Sequence, residues 1–399
     1  MTLAEGSTTS FIFKEEATPY TQETGTGGTV LRRATGTLNL AKAEVTSGEK
    51  RTDFQEVNTN HGTEQVNFEI QSELFLGDYK AFWGSILRRD MTGISDITGS
   101  NYAISSGNLT SDGSDLISGG LFQGLIIRLA SMTESAVNSR NIRITGPVAA
   151  GSAPVEAVDG GAALVDSAAA AATISVPGLL SYIPLTSHTR KTYTIERFDS
   201  RASVSRVGAG CVLGRASLAA NVDQPLGLTF GGVGTKYVEG SLQVLTSPTA
   251  AGTGPAASSG IGYARIGGNV QQVITGLQLD VNIGAQTRGV IFTPTSPAVF
   301  LGRVAEVTGS IQVLKESNVL SSIFRDETET ELEFFIAAPG TEPRAFLNVF
   351  MKRVKFNTAD LDDPDSADVE TIAFRALRPV SDVTGVQTTT ILVQDSQAS

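Results

Sequence analysis

The stretch Gly62-Thr-Glu-Gln-Val-Asn-Phe-Glu-Ile-Gln-Ser-Glu-Leu-Phe-Leu-Gly-Asp-Tyr-Lys-Ala-Phe-Trp-Gly-Ser-Ile-Leu-Arg-Arg-Asp90 changes its hydrophobic period halfway along. In its first half Val66, Phe68, Ile70 and Leu74 fall on one side of a pleated strand. Gln65, Asn67, Glu69, Gln71 and Glu73 fall on the other. From Asp78 onward Tyr79, Phe82, Trp83, Ile86 and Leu87 share one stripe of a helix, with Asp78 as its N-cap and Arg88 and Arg89 at the end that favours cations. A strand with one wet face therefore feeds a helix with one apolar stripe.

The surrounding chain has 399 residues, enough for two or three domains with sizeable cores. Its 42 glycines, together with abundant Thr, Ser and Val, favour strands and turns, and the fold class expected is mainly β, of the α+β kind. A net charge of −11 argues against a surface that grips nucleic acid by neutralising phosphates. It does not argue against a surface that lets nucleic acid slide past without sticking, since like charges repel. The one cysteine, Cys211, cannot form an internal disulfide, and its apolar neighbours mark it as a small buried hydrophobe. The N-terminus lacks the basic and apolar regions of a signal peptide. No apolar run reaches the ~20 residues that span a bilayer. The expectation is a protein made and assembled in a cytoplasm, without a membrane partner.

Residues 1–31 are polar and Gly/Thr-rich apart from Phe11, Ile12 and Phe13, and read as an N-terminal arm that docks on something. Thr35-Gly-Thr-Leu-Asn-Leu reads as a strand with Leu38 and Leu40 inward. The segment 44–61 lacks a period and reads as a long loop of the kind that touches a partner or is disordered.

Much later the pattern returns. Thr275-Gly-Leu-Gln-Leu repeats Thr35-Gly-Thr-Leu-Asn-Leu, with Leu277 and Leu279 in the places of Leu38 and Leu40. The stretch 302–314 repeats the amphipathic strand, with Val307, Ile311 and Val313 apolar and Glu306, Thr308, Ser310 and Gln312 polar. Val319, Leu320, Ile323 and Phe324 then form a second helical stripe. All these matches fall at an offset of about 240 positions, as an internal duplication predicts. A further match sets Arg215 in the first copy against Arg353 in the second. Arg215 lies 125 positions beyond Asp90 and Arg353 lies 27 beyond Asp326 (215 − 90 and 353 − 326), which leaves about 98 extra residues in the first copy, the size of a small domain. The division expected is an arm at 1–31, a first unit at 32–100 and 188–245, an inserted small β domain at 101–187, and a second unit at 260–399. Within the insertion Leu121-Phe-Gln-Gly-Leu-Ile-Ile-Arg-Leu, Asn141-Ile-Arg-Ile-Thr-Gly and Thr173-Ile-Ser-Val read as strands. Ala168 to Ala172 reads equally as a short helix or a loose connection.

Catalytic raw material is scarce. His61 and His188 lie in polar contexts without a Ser, Cys or Asp motif. Gly231-Gly-Val-Gly-Thr-Lys236 lacks the Gly before Lys and the following Ser or Thr of a phosphate loop, and reads as a turn between strands. The acidic run 360–370 has Pro364 and Asp365 where a calcium loop needs a ligand and a glycine, and reads as a solvated loop. No catalytic residue, metal or cofactor is expected, and an enzyme is the weakest reading.

Leu31-Arg-Arg-Ala-Thr-Gly-Thr-Leu-Asn-Leu, His61-Gly-Thr-Glu-Gln-Val-Asn-Phe-Glu-Ile, the helix 79–90 and the closing Thr388-Thr-Thr-Ile-Leu-Val-Gln-Asp395 together resemble the major tail tube proteins of long-tailed bacteriophages. The resemblance implies a β-sandwich with a flanking helix, carried twice per chain and assembled as homotrimeric, pseudo-sixfold rings stacked into a tube. It implies that Gln65, Asn67, Glu69, Gln71, Glu73, Glu306, Thr308, Ser310 and Gln312 line a channel that DNA traverses without specific binding. Tyr79, Phe82, Trp83, Ile86, Leu87, Val319, Leu320, Ile323 and Phe324 would form the helix cores. The partners implied are a tape measure protein, a tail terminator and a distal tail protein, and the place is the virion tail. Three alternatives stay open at this point. The polar face is an ordinary solvated side, the protein is another ring component such as a terminator or hub, or it is a surface-binding adhesin.

Overall fold

A computed structural model describes every residue except 1–4, 51, 54, 56–57, 114, 159–162, 272, 303, 363–366 and 381. The apolar patch of the expected arm lies in β1 (Thr9–Glu15), which pairs antiparallel along its whole length with 193–199. Phe11, Ile12 and Phe13 are buried there, so the arm docks on the chain's own fold. Positions 1–4 of it lie outside the described residues.

β2 (Thr35–Thr46) and β3 (Thr59–Glu73) form a long antiparallel hairpin. It takes in both ends of the segment 44–61 that read as a loop, because Glu44, Val45 and Thr46 pair with His61, Asn60 and Thr59. These rungs stand clear of the core with both faces exposed, and without a buried side no alternation marks them as strand. Positions 51, 54 and 56–57 of that segment lie outside the described residues.

α1 (Lys80–Ile86) follows where the period changes, and Tyr79, Phe82, Trp83, Ile86 and Leu87 are all buried. Asp78 does not cap it. Tyr79 holds the N-cap position without a side-chain cap bond, and Asp78 faces Arg32 at 3.5 Å, an ion pair that takes the carboxylate away from the helix end. Tyr79 ties helix to strand: its hydroxyl meets that of Ser72 and donates to the Arg32 carbonyl at 3.1 Å. Burial pushes its phenol up to about 12.

Six strands then close a small barrel: β4 (Ile97–Ser105), β5 (Asn108–Thr110), β6 (Ile126–Ala130), β7 (Ile142–Ile144), β8 (Ser152–Ala157) and β9 (Ser167–Ser175), in the order β8-β5-β4-β9-β6-β7. Ala168 to Ala172 is neither helix nor loose connection but part of β9, paired with β4 on one side, and the same strand pairs with β6 on the other. Two ladders outweigh the helical preference of an alanine run. The barrel has its own core, including Tyr102, Leu109, Ile127 and Ile142.

The remaining labelled elements are β10 (Leu179–Tyr182), β11 (Tyr193–Asp199), β12 (Val204–Asn221), β13 (Gly227–Gly234), β14 (Ile274–Asn282), β15 (Glu306–Leu314), α2 (Val319–Arg325), β16 (Thr330–Ala337), β17 (Phe346–Phe356), β18 (Asp360–Asp362), β19 (Val369–Leu377) and β20 (Leu392–Asp395). One antiparallel sheet runs β2-β3-β13-β12-β14-β15-β19, and β17 and β18 lie end to end along the far edge of β19. β12 and β17 are long because each also serves a second layer. The first part of β12 pairs with β11, which pairs with β1; the first part of β17 pairs with β16 and β20. This layer covers the apolar side of the sheet. α1 is wedged there, with the Phe82 ring 4.9 Å from that of Phe13 and 5.2 Å from that of Phe230.

The barrel rests on the second layer. Gln394 of β20 accepts from the Ile126 amide at 3.0 Å and donates to its carbonyl at 2.9 Å, and Asn348 of β17 donates to the Gly124 carbonyl at 2.9 Å. Arg143 of β7 faces Glu333 of β16 at 2.5 Å, both side chains buried.

α2 forms as expected but does not supply the core expected of it. No residue of it is buried, Val319 is 61% and Phe324 38% exposed, and Leu320 and Ile323 are only partly covered. Its stripe has the helical period, but this chain brings too little apolar surface against it.

Candidate channel-lining surface

The polar alternates of β3 and β15 come to lie on one face of one sheet. Gln65, Asn67, Glu69, Gln71 and Glu73 alternate with buried Val66, Phe68, Ile70 and Ser72. Glu306, Thr308, Ser310 and Gln312 alternate with Val307, Gly309, Ile311 and Val313, of which the three apolar side chains are buried. The strands between them keep the face continuous. Glu69 lies opposite Gly231, Gly231 opposite Arg215, Arg215 opposite Asn282, and Asn282 opposite Glu306. Two glutamates that are far apart in sequence thus share one row, with an arginine between them.

That row explains the glycine-rich run 231–236, which is not a turn at its start: Gly231 to Gly234 belong to β13. A Cβ at Gly231 would stand 2.8 Å from Nε of Arg215, so the glycine lets that side chain cross its strand and pair with Glu69. On the dry face a Cβ at Gly232 would stand 2.6 Å from Cζ of Phe68. Each glycine clears one side of the sheet for a neighbour's side chain.

The polar groups of this face are largely satisfied by one another. Gln65 donates to Asn67 at 2.5 Å, Gln71 to Glu69 at 2.9 Å, Thr35 to Gln71 at 3.1 Å and Gln278 to Asp280 at 2.9 Å. Arg375 pairs with Glu306 as Arg215 does with Glu69. These pairs are exposed, and such pairs contribute only ~0–1 kcal/mol each. Their effect is on the field of the face, where a cation lies beside each of two carboxylates, Glu69 and Glu306. Arg215 and Arg375 were not among the lining residues read from the sequence. Their signal was a charged residue between apolar or small neighbours in a strand, placed opposite a glycine or a threonine of the next strand.

Other candidate chemistry stays apart. His61 and His188 are exposed, one on β3 and the other in a loop. Cys211 is fully buried in β12, and burial pushes its thiol up. Among the described residues no group of three or more His, Cys, Asp or Glu side chains is placed to hold a metal; positions 363–366 of the acidic run lie outside them. Among them, too, no helix is long and apolar enough to cross a membrane.

A family model described as phage tail tube protein matches residues 6–376. A comparison with curated proteins found no match. Since the family match spans the polar-faced sheet from β2 through β19 and the barrel within it, the chain belongs to the phage tail tube protein family and is a structural, non-enzymatic component of the virion tail.

Proposed function

We propose that three copies of this chain close a ring, that rings stack into the tail tube, and that the polar face of the long sheet lines the channel through which the genome leaves. The observation that carries this reading is the sheet itself: one continuous wet face, an opposite face sealed by a second layer, and margins at β2 and β18 with no paired strand beyond them among the described residues. Uncovered edges of this kind invite pairing with another chain.

The same sheet supports two copies of one unit, as the repeats suggested. Leu38 lies opposite Phe68, and Leu279 opposite Gly309, with one offset for both strands (279 − 38 = 309 − 68 = 241). Gly232 lies opposite Phe68 and Phe374 opposite Gly309, an offset of 142 (374 − 232). The register shift of β12 between Leu213 and Arg215 returns between β17 and β18, since Leu213 and Phe356 hold matching places and so do Ser217 and Asp360 (356 − 213 = 360 − 217 = 143). On this register Leu279 and Val281, and not Leu277 and Leu279, take the places of Leu38 and Leu40, and Thr358, not Arg353, takes the place of Arg215 (358 − 215 = 143). The pseudo-sixfold ring follows from three chains of two units, the first at 32–100 and 188–245 and the second at 260–399.

The barrel, inserted near 101–187, rests on the layer opposite the wet face and so belongs on the outside of the tube. Tape measure protein inside the channel, with tail terminator and distal tail protein at the two ends, are the partners this assembly requires, and the host cytoplasm is where it forms. Negative-stain microscopy of concentrated purified protein tests the reading. Rings and tubes are expected; compact monomers alone would overturn it, and single rings that never stack would mark a terminator or hub instead.

A further inference from the structure

The chain contains one junction between its two sheet halves. In it the second part of β12 is paired on both sides, with β13 and with β14. Ser217 lies opposite Asp280, Leu218 opposite Leu279, and Ala219 opposite Gln278. The apolar side chains at its centre are sealed: Ala216 is 2% exposed, Leu218 0%, Leu279 1% and Val281 1%.

Of the matching places elsewhere, that of Leu279 is taken by Leu38, which the chain itself buries, and two others are open. The counterpart of β12 at its junction is β18, and the counterpart of β14 is β2, by the offsets of 143 and 241 found above (361 − 218 and 279 − 38). Leu361, in the place of Leu218, is 55% exposed, and Leu40, in the place of Val281, is 40% exposed. Two apolar side chains whose counterparts the junction buries thus stand uncovered at the two margins of one sheet.

We propose that β18 of one copy pairs antiparallel with β2 of the next in the register of the internal junction, with Asp360 opposite Asn39, Leu361 opposite Leu38 and Asp362 opposite Thr37. The inference rests on the ring reading and deepens it by naming the partner surface residue by residue. This register keeps Asn39 and Asp360 on the wet face and turns Leu361 and Leu40 to the dry one. A slip of one residue would put Leu361 on the wet face, so the pattern specifies the register. No two like charges face each other, since Asp360 and Asp362 meet Asn39 and Thr37. Each copy offers β18 to one neighbour and β2 to the other, a head-to-tail contact that closes when its rotation closes.

Cysteine cross-linking in full-length protein tests it. Directly opposed residues of an antiparallel pair lie ~4.5–5.5 Å apart at Cα, within disulfide range. The native Cys211 is buried and does not compete. The double variant Asn39→Cys with Asp360→Cys, oxidised after assembly, should run on a non-reducing gel at three times the chain mass and return to monomer on reduction. Thr37→Cys with Asp362→Cys should do the same, which guards against failure of one pair to assemble. The offset pairs Thr37→Cys with Asp360→Cys and Asn39→Cys with Asp362→Cys should cross-link at least tenfold more slowly. Tubes that form under reductant yet yield no covalent species from either direct pair, or cross-link faster through an offset pair, would overturn the register while leaving the ring intact. Absence of rings from the unaltered protein would remove the ring reading and this contact with it.

Discussion

Phe374 stands directly opposite Gly309, and its ring fills the space that a side chain at 309 would need, with Cζ 2.6 Å from where a Cβ would be. Phe68 and Gly232 make the same contact in the other half of the sheet, with glycine and aromatic exchanged between strands. At both glycines a Cβ would also come within 2.1 Å of a neighbouring strand's carbonyl oxygen, Val212 or Gln278, so the backbone itself would have to move. Gly309→Ala and Gly232→Ala are therefore each expected to destabilise the protein by ~1–3 kcal/mol, the usual cost of overpacking. Denaturant titration of each variant measures this, and midpoints unchanged from the parent protein would mean that the rings do not sit over these glycines.

The wet face makes a different prediction, because its ion pairs are exposed and weak. Glu69→Lys combined with Glu73→Lys should leave ring and tube assembly intact, losing at most ~1 kcal/mol from the Arg215 pair. The new cations, one of them beside Arg215, should retain DNA in the channel and slow or stop its ejection. Particles carrying both substitutions would be scored for tail morphology and for genome release, and unchanged infectivity would end the assignment of this face to the channel.

A third prediction concerns the seat of the barrel. Burial raises the Glu333 carboxyl from its ordinary 4.5 to about 7, with Arg143 and Arg265 opposing the shift and Glu331 adding to it. Lys352 lies on the far side of Glu331, and Glu156 on the far side of Arg265. With the folded value above the unfolded one, the folded protein binds the extra proton. Stability from this site is fully present below about 4.5 and is lost as pH rises through about 7. Wild-type protein should thus lose stability between pH 5 and 8 relative to Glu333→Gln, whose profile should be flatter over the same window. Parallel profiles for the two proteins would show that Glu333 titrates normally.

The barrel itself should be dispensable for tube formation. Thr92 and Leu180 exchange backbone hydrogen bonds of 2.8 and 3.0 Å just outside it, so a short linker can replace 97–175 without moving the rest. The truncated protein is expected to form tubes of smaller outer diameter and lower solubility, because Phe335, Phe346 and Phe350 lose their cover. Loss of tubes with a folded monomer retained would place the barrel in the ring contacts instead of on the outside.

What the sequence disclosed depended on whether an element had one wet side. β3 and β15 alternate because one face is sealed and the other is not, and α1 shows its stripe because Phe13, Tyr193 and Phe230 close over it. β12 was opaque for the opposite reason. It is covered on both faces for much of its length, and Arg215 alone betrays which side is wet there. The outer rungs of the β2–β3 hairpin, 44–46 with 59–61, were opaque because neither face is covered. The glycines of β13 read as a turn because their purpose, room for Arg215 and Phe68, lies in residues more than a dozen positions away. The stripe of α2 was legible as a helix, but its exposure depends on what surrounds the chain, which no periodicity within it encodes.

The row Glu69, Gly231, Arg215, Asn282, Glu306 has one more consequence, for friction. An isolated charge on this face would act on a passing polyanion over a Debye length, ~8–10 Å at moderate salt. A cation beside a carboxylate acts as a dipole, whose field dies away over a much shorter distance. A polymer moving over such a surface meets a shallow ripple in place of wells and barriers, and a rigid backbone whose phosphates are out of step with the ripple averages it further. Where its charges are paired in this way, the surface is a low-drag bearing, wet enough to stay hydrated and without a bare charge to hold what slides across it.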